Sequence, residues 1–345
     1  MKTQIYEMDS PLKSVFNLSK AGELLMAGET VVFPTETVYG LGANAFDEAA
    51  VQKIFDAKGR PADNPLIVHI ADERDVKKLV KVIPVKAKKL MDAFWPGPLT
   101  LIMKKKDSIS DLVTAGLDSV AVRFPSNAIA QGLIKSAGVP IAAPSANISG
   151  RPSPTKGEHV IEDMMGRVAA IIISNDTEVG LESTVVDMTS EPPTLLRPGA
   201  ITLTELRKTI GEVRVSPNIT QNIIPDKAMS PGMKYTHYSP KGDLVIVKGT
   251  DAEKVEKINR LIKKNAVMKV GILATDETMG HYKTGIIISL GSRNDPEEMS
   301  RNLFARLRTF DDLGIEKIYA EDLEVNNETL ALMNRLYKAG GYHFI

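Results

Sequence analysis

The sequence contains no cysteine among its 345 residues. This absence excludes disulfide bonds, thiolate nucleophiles, iron–sulfur clusters and cysteine-rich zinc sites together. Long apolar runs are missing as well, because the longest purely apolar stretch, Val168 to Ile173, is far shorter than the roughly 20 residues of a membrane-spanning helix. The first residues include Lys2, Glu7 and Asp9 without an apolar run behind them, so no secretory signal is predicted. These absences favour a cytoplasmic protein.

The chain also lacks an excess of charge of one sign. Lys plus Arg and Asp plus Glu both number 43, and the two halves of the chain are each close to balance. A protein that grips long nucleic acids through their phosphates usually shows a broad basic excess. Any anion-binding site is therefore expected to be local. The length suggests two domains, since one domain commonly takes roughly 150 residues.

Several motifs of common enzyme classes are missing. No G-x-x-x-x-G-K-[ST], H-E-x-x-H or G-x-S-x-G pattern occurs. Residues 40–45 do fit a G-x-G-x-x-A dinucleotide fingerprint, but the helix predicted after them runs into Lys58-Gly59-Arg60-Pro61 instead of a second strand ending in an acidic residue. The glycines are therefore expected to form a tight turn.

Hydrophobic periodicity divides the chain into two α/β regions. Strands are predicted at 29–33, 66–70, 99–103, 120–124, 139–143, 169–174 and 184–188, and helices at 47–57 and 85–94. After a proline-containing stretch, strands follow at 243–247, 267–274, 285–290 and 315–320, and helices at 251–264, 296–312 and 328–338. The pattern predicts domains at 1–214 and 242–345, joined by a linker at 215–241.

Four polar segments punctuated by Pro or Gly lie beside predicted strand ends, at 34–40, 58–65, 143–150 and 182–187. Loops held by a rigid sheet are where binding residues concentrate, although each segment alone could be a hydrogen-bonded turn. Together they supply hydroxyls, amides and cations, which suits the positioning and charge stabilisation of phosphate chemistry. Lys58 and Arg60 could supply the cations, or they could lie on a solvated face.

These segments, in this order and spacing, resemble the YrdC-like threonylcarbamoyl-AMP synthases in their longer, two-domain form. The resemblance spans roughly residues 15–210 and rests on the Lys-x-Arg pair Lys58 and Arg60, the Ser-x-Asn element Ser145 and Asn147, and Arg197-Pro198-Gly199. It implies an open, twisted mixed sheet with helices around a concave cavity. The C-terminal region is similar to the second domain of that family in pattern, which implies a smaller βαβ, Rossmann-like domain.

The resemblance also implies two groups of site residues. Arg123 would hold the substrate carboxylate in a fork, within a threonine pocket formed by Thr37, His69, Arg123, Ala143 and Ser183. ATP would be contacted by Arg60, Asn64, Ser119, Ser145, Ser153 and Arg197, with Lys58, Asn147 and the linker residue Tyr235 beside them. Lys58 and Arg60 would act as catalytic cations. Without the resemblance, His69 would be interpreted as a core histidine.

The implied reaction joins L-threonine, bicarbonate and ATP to give threonylcarbamoyl-AMP and pyrophosphate, for modification of tRNA next to the anticodon. Mg²⁺ is expected to arrive with ATP, since the sequence shows no cluster of protein ligands. The expected partners are the threonylcarbamoyl transferase machinery and, through a weak contact, tRNA. Residues 231–240 are expected to form a lid, because residues 235–238 include two tyrosines and a histidine.

One alternative of a different class stays open at this stage, a tRNA or double-stranded RNA binding module that grips phosphates without catalysis. Carbamoyl transfer in another pathway, as in hydrogenase maturation proteins with YrdC-like domains, lacks support because no zinc-finger or acylphosphatase-like segment accompanies the domain.

Overall fold

A computed structural model describes residues 2–8, 11–221, 223, 228–231, 237–265 and 267–345. The chain forms two compact units. Unit 1 comprises residues 1–149, 153–178 and 182–235, and unit 2 comprises residues 150–152, 179–181 and 236–345. The domain limits at 214 and 242, inferred from the sequence, stay predictions.

Unit 1 alternates strands and helices along most of its length. Its described strands are β1 (Gln4–Glu7), β2 (Val31–Phe33), β3 (Gly40–Asn44), β4 (Ile67–His69), β5 (Leu99–Lys104), β6 (Ser119–Arg123), β7 (Ile141–Ala143), β8 (Ala170–Ile173), β9 (Thr184–Asp187), β10 (Thr194–Arg197) and β11 (Arg214–Val215). Its described helices are α1 (Pro11–Met26), α2 (Glu48–Lys58), α3 (Val76–Leu79), α4 (Val85–Phe94), α5 (Asp111–Thr114), α6 (Ala128–Ala137), α7 (Gly157–Met164), α8 (Leu203–Ile210) and α9 (Pro217–Thr220).

The strands of unit 1 join into one mixed sheet. Within the described residues it has 11 strands in the order β1-β8-β2-β3-β7-β4-β6-β5-β9-β10-β11. The sheet contains both parallel pairs, such as β4 with β6, and antiparallel pairs, such as β5 with β6. The mixed sheet predicted for this part of the chain is confirmed.

Local sequence fixes the ends of the helix that leads into the candidate site. Asp47 accepts a hydrogen bond from the backbone N–H of Ala50 and so caps the start of α2. Gly59 ends the helix in the left-handed conformation, at φ 61°, which glycine adopts without a Cβ penalty. Lys58 is consequently the last helical residue, and the chain turns directly after it.

The glycines of β3 correct one expectation from the sequence. Residues 40–44 form an extended strand between β2 and β7 and not a tight turn. A Cβ added at Gly42 would lie 2.6 Å from Ile141 Cγ2 and 2.8 Å from Phe33 Cε1. Glycine is needed at this position because neighbouring side chains press against the backbone, a reason that the local sequence pattern does not reveal.

Unit 2 is a small parallel α/β unit. Its strands β12 (Asp243–Val247), β13 (Val270–Ala274), β14 (Ile286–Ser289) and β15 (Lys317–Glu321) lie in the order β12-β15-β13-β14, and its helices are α10 (Asp251–Lys264), α11 (Asp276–Met279), α12 (Pro296–Asp312) and α13 (Leu330–Ala339). The pairs β12–β15, β13–β15 and β13–β14 are all parallel. The predicted smaller βαβ domain is confirmed.

The two faces of this smaller sheet are covered by different helices. Ile258 of α10 packs in one apolar cluster with Val270 and Ile272 of β13. A Cβ at the intervening Gly271 would instead meet Phe310 of α12. Because successive strand residues point to opposite faces, α10 and α12 lie on opposite sides of the sheet.

The described end of the predicted lid belongs to unit 2. Tyr238 is buried and stacks on Phe304 of α12, with ring centroids 5.0 Å apart. Ser239 donates its hydroxyl hydrogen to the backbone oxygen of Ala339. These contacts place the aromatic ring of Tyr238 in the core of unit 2.

Among the helices that the structure describes, we find none that combines the length and the apolar character needed to cross a lipid bilayer.

Candidate active site

Two residues of the predicted threonine pocket end neighbouring parallel strands. His69 is the last residue of β4 and Arg123 the last residue of β6, and the two are paired in the register of the sheet. Ala143 ends β7, the antiparallel neighbour of β4, and is paired with Ile67 at the start of β4 and not with His69. The apolar residues that precede the last residue of each strand are buried, so a rigid core holds the polar side chains at the strand ends.

A chain of hydroxyl groups connects Arg123 to the loop after β2. Arg123 Nη1 donates to Thr37 Oγ1 at 2.8 Å, and Thr37 Oγ1 lies 2.9 Å from Thr35 Oγ1. Thr35 Oγ1 itself lies 2.6 Å from the backbone oxygen of Val38, to which it donates its only hydroxyl hydrogen. Thr37 must therefore donate to Thr35 while it accepts from Arg123, which leaves one lone pair of Thr37 for a substrate.

The residue between these threonines forms a buried ion pair with the same arginine. Glu36 Oε1 lies 2.8 Å from Arg123 Nη2, and both side chains are about 95% buried. Burial alone would raise the pKa of Glu36, but the charge of Arg123, together with nearby N–H groups of Glu36 and Ser126, holds that pKa below its ordinary value. The carboxylate is therefore charged at neutral pH.

The hydrogen-bonding capacity of this ion pair is largely unused. Within the described part of the chain, no aligned hydrogen bond ends on Arg123 Nε, Arg123 Nη2 or either carboxylate oxygen of Glu36. The contact of 2.8 Å is thus an ion pair in which the N–H bonds of Arg123 Nη2 do not point at Glu36 Oε1. Nε and Nη2 form the edge through which a guanidinium binds a carboxylate with two parallel bonds.

His69 beside Arg123 is neutral and has a defined tautomer. Its Nδ1 lies 3.1 Å from the backbone oxygen of Ile67, which can only accept, so Nδ1 carries the hydrogen. Burial lowers the pKa of His69 to about 3, and the charge of Arg123 adds to this effect. Nε2 is therefore left as a hydrogen-bond acceptor.

A second group of contacts links Ser183 to a predicted nucleotide residue. Arg197 Nε donates to the backbone oxygen of Ser183 at 3.0 Å, and Arg197 Nη2 donates to its Oγ at 3.1 Å. Ser183 Oγ also lies 2.7 Å from Thr100 Oγ1. Thr100 pairs with Arg123 between β5 and β6. The structure thus brings Ser183 between Arg197 and the strand that neighbours Arg123.

The Lys-x-Arg and Ser-x-Asn elements meet through Lys58. Its Nζ donates to the backbone oxygen of Ser145 at 2.6 Å and to that of Asn147 at 2.5 Å, although the elements are 87 residues apart or more. Ser145 Oγ donates to Asn147 Oδ1 at 2.5 Å. The ammonium of Lys58 is buried beneath the loop and holds its carbonyl groups.

The remaining predicted nucleotide residues are distributed around this loop and the sheet. Arg60 Nη2 donates to the backbone oxygens of Asn64 and Pro65, at 3.3 and 3.2 Å. Ser153 Oγ donates to Glu182 Oε1 at 2.6 Å. Ser119 begins β6, so it lies four residue steps, about 13 Å of extended strand, from Arg123 at the other end. Tyr235 lies outside the described residues, and its predicted role stays a prediction.

No group of three or more His, Asp or Glu residues that could hold a metal ion occurs in the part of the chain that the structure describes. The buried charges at the site are instead the cations Lys58, Arg123 and Arg197 and the acids Glu36 and Glu182.

Two protein families match consecutive parts of the chain. Residues 23–199 match the family of the Sua5, YciO and YrdC proteins, which carries the description "Telomere recombination". Residues 201–341 match the family described as "Threonylcarbamoyl-AMP synthase, C-terminal domain". The chain belongs to the threonylcarbamoyl-AMP synthase family. The resemblance inferred from the sequence is thereby confirmed.

Relatives of this family are similar over nearly the whole length. The threonylcarbamoyl-AMP synthase of Pyrococcus abyssi is 48% identical over 327 residues, which cover 94% of each chain. The Bacillus subtilis synthase is 48% identical over 328 residues, covering 94% of this chain and 93% of the relative. A crystal structure of the P. abyssi Sua5 protein complexed with L-threonine superposes with a TM-score of 0.92 at 45% identity, covering 100% of this chain and 99% of that one.

Membership of the family settles the class of reaction. The chain is an ATP-using transferase that makes threonylcarbamoyl-AMP for the threonylcarbamoyladenosine modification of tRNA. The alternative of an RNA-binding module without catalysis is therefore set aside.

Sequence reasoning found part of this arrangement and missed part. It named Thr37, Arg123 and Ser183 but not Glu36 or Thr100, whose contacts complete the two networks. Glu36 lies inside the polar segment 34–40 named from the sequence. The apolar strand directly before this segment is a signal from which the burial of Glu36 could have been suspected. Thr100 sits in an apolar strand pattern and gave no signal.

Proposed function

We propose that the edge of Arg123 formed by Nε and Nη2 binds the carboxylate of L-threonine. The observation that carries this proposal is that no aligned hydrogen bond among the described residues ends on these two buried donors, although Nη2 lies 2.8 Å from Glu36 Oε1. A buried donor without an aligned acceptor is costly, and a carboxylate with two parallel acceptors removes that cost. Support comes from the L-threonine complex of the P. abyssi protein, a 45% identical chain.

The neighbouring side chains complete this threonine pocket. His69 Nε2 and the spare lone pair of Thr37 are acceptors that suit the hydroxyl or amine hydrogens of threonine. Ala143 would line the pocket as a small side chain at the end of β7. Ser183, through Arg197, would adjoin the nucleotide.

ATP is proposed to bind beside the loop that Lys58 supports. Arg60 and Arg197 would face the triphosphate, where a guanidinium can bind phosphate oxygens with two bonds. Lys58 would act by fixing the Ser145–Asn147 loop as well as by its charge. The other nucleotide contacts proposed are those of Asn64, Ser119, Ser153 and Tyr235.

The proposed chemistry proceeds in two steps. The neutral amine of threonine, formed when its ammonium group gives up a proton, adds to bicarbonate or carbon dioxide and forms a carbamate, with loss of a second proton and, for bicarbonate, of hydroxide. A carbamate oxygen then attacks the α-phosphorus of ATP, and the bond to the β-phosphate breaks to release pyrophosphate. Holding the reactants together can supply roughly 7–11 kcal/mol of the barrier as effective molarity.

Mg²⁺ would enter as the partner of the ATP phosphates and would be held mainly by phosphate oxygens and water. The described residues fit this role because they offer no cluster of acidic or histidine ligands of their own. The product would pass to a threonylcarbamoyl transferase that acts on tRNA, in the cytoplasm, with a weak tRNA contact as a further proposal.

The experiment that tests the proposed function incubates the chain with ATP, labelled bicarbonate and threonine and separates the products by chromatography. A labelled adenylate that requires all three reactants is expected. Equal pyrophosphate release with and without threonine would contradict the proposal.

A further inference from the structure

The ion pair of Glu36 and Arg123 has a feature that a purely structural pair would not need. Both side chains are about 95% buried, and their charges sum to zero. A buried pair normally offsets its desolvation only if further hydrogen bonds satisfy the remaining donors and acceptors. Here both oxygens of Glu36 and two nitrogens of Arg123 have no aligned partner among the described residues. The two groups lie 2.8 Å apart as an anion and a cation, and each has hydrogen-bonding capacity left for a ligand.

An α-amino acid carries the same two charges next to each other in its own structure. Its carboxylate and its ammonium group are joined through one carbon atom. If only Arg123 recognised the substrate, the nearby carboxylate of Glu36 would repel the incoming carboxylate. That repulsion turns into attraction if the ammonium group, which has three hydrogens to donate, lies against Glu36.

We propose that Glu36 is the residue that recognises the α-ammonium group of threonine, so that Glu36 and Arg123 together bind the zwitterion. This inference rests on the proposed threonine pocket. It assigns Glu36 a role in specificity. A ligand that has the carboxylate of threonine but not its amine would leave the buried carboxylate of Glu36 without the counter-charge of an ammonium group. The position of Glu36 between Thr35 and Thr37 supports this role, because the hydroxyl chain of these threonines fixes the loop against Arg123.

Other buried acids at the site are less suited to this role. The carboxylate of Glu182 accepts a hydrogen bond from Ser153 Oγ at 2.6 Å. Glu36, in contrast, lies 2.8 Å from the guanidinium that is proposed to hold the substrate carboxylate. The spacing of the two groups on one carbon atom requires the ammonium site to be this close.

The test compares two ligands on two forms of the full chain. The ligands are L-threonine and its des-amino analogue (R)-3-hydroxybutanoate, and the forms are the parent and Glu36→Gln, which keeps the shape but removes the charge. Loss of one partner of a buried charge pair typically weakens binding by a factor of about 30 or more. We expect Glu36→Gln to weaken threonine binding by at least about 30-fold in calorimetric titration and to leave the affinity for the analogue unchanged or higher, because the carboxylate that repels it is gone. Parallel losses for both ligands would overturn the proposal, since a residue that only shapes the pocket affects both.

Three further variants make the result decisive. Glu29→Gln is the matched control, because Glu29 forms an ion pair with Lys53, at 2.9 Å, but lies before β2, whereas Glu36 lies after it. Glu29→Gln should change neither affinity. Glu36→Asp keeps the charge and should retain the preference for threonine over the analogue, so loss of that preference in Glu36→Asp or in Glu29→Gln would contradict the inference. Arg123→Ala should weaken both ligands together. If Arg123→Ala leaves both unchanged, the proposed pocket itself is wrong, whereas a correct Arg123 result with parallel losses in Glu36→Gln removes only the present inference.

Discussion

The ammonium of Lys58 donates to the backbone carbonyl of Ser145, over 2.6 Å, from beneath the loop that carries the Ser-x-Asn element. The sequence suggested Lys58 as a catalytic cation that faces ATP. The structure shows a buried side chain, only 2% exposed, whose ammonium also holds the carbonyl of Asn147. We therefore expect Lys58 to influence nucleotide binding through the shape of this loop.

Replacing Lys58 by Met should loosen the loop and lower the stability of unit 1. Each of the two carbonyls that loses its donor costs about 1–3 kcal/mol, so the variant should lose about 2–6 kcal/mol of stability and bind ATP more weakly. Thermal denaturation and ATP titration measure the two effects. Lys53→Met is the control, because Lys53 is 41% exposed and its pair with Glu29 should contribute less than about 1 kcal/mol. Unchanged stability in Lys58→Met, with weaker ATP binding alone, would show that Lys58 faces the nucleotide directly.

The contact between Thr100 and Ser183 should appear as an energetic coupling. Thr100→Val and Ser183→Ala each remove one hydroxyl of a buried pair 2.7 Å apart. Either change alone already breaks this hydrogen bond. The double variant should therefore lose less threonine-binding free energy than the sum of the two single losses, by about 0.5–1.5 kcal/mol. A double-mutant cycle on threonine affinity measures the coupling. Effects that add within about 0.3 kcal/mol would mean that the bond does not orient Ser183.

His69 should make the stability of the folded chain depend on pH. Its pKa is about 3 in the folded chain against an ordinary value of 6.5, so between these values the unfolded chain binds a proton that the folded chain does not. The contribution of the neutral imidazole is therefore complete above pH 6.5 and is lost as the pH falls, by up to about 1.4 kcal/mol per unit.

Two measurements check this expectation. In NMR spectra of histidine-labelled protein, the His69 resonances should not titrate between pH 5 and 8. The His69→Gln variant should show a flatter loss of stability below pH 6.5 than the parent, while His343→Gln, which alters a half-exposed side chain of unit 2, should not. A titration of His69 near its ordinary value would contradict the buried, neutral imidazole.

The glycine of β3 should not tolerate even one methyl group. Gly42→Ala would place a Cβ 2.6 Å from Ile141 Cγ2 and should cost about 1–3 kcal/mol of stability through overpacking. Gly280→Ala is the control, because no heavy atom lies within 4 Å of its added Cβ, and it should change stability by less than about 1 kcal/mol. Thermal denaturation measures the stability of both variants. Equal losses of stability would mean that β3 does not need glycine for close packing.

Residue spacing predicted those parts of the fold and site that depend on nearby residues. The limits of α10 and α12 agree with the sequence prediction because capping residues and amphipathic periodicity are local. The role of Gly42 was missed because Phe33 and Ile141, which press on it, come from other strands. The partners of Lys58 were missed for the same reason, since they lie 87 and 89 residues away.

The direction of a charged side chain was likewise beyond the sequence. A glutamate between two threonines in a polar loop is typical of a solvent-facing turn, and only the fold places Glu36 against Arg123. Motif resemblance identified the loop, whereas the ion pair between Glu36 of this loop and Arg123 of β6 is seen only in the three-dimensional structure.

The most direct test of this account is a crystal structure of the chain grown with L-threonine and a non-hydrolysable ATP analogue. The threonine carboxylate is expected within about 3 Å of Arg123 Nε and Nη2, and the triphosphate beside Arg60 and Arg197. Threonine bound away from Arg123, with the guanidinium still paired only to Glu36 and Thr37, would contradict it.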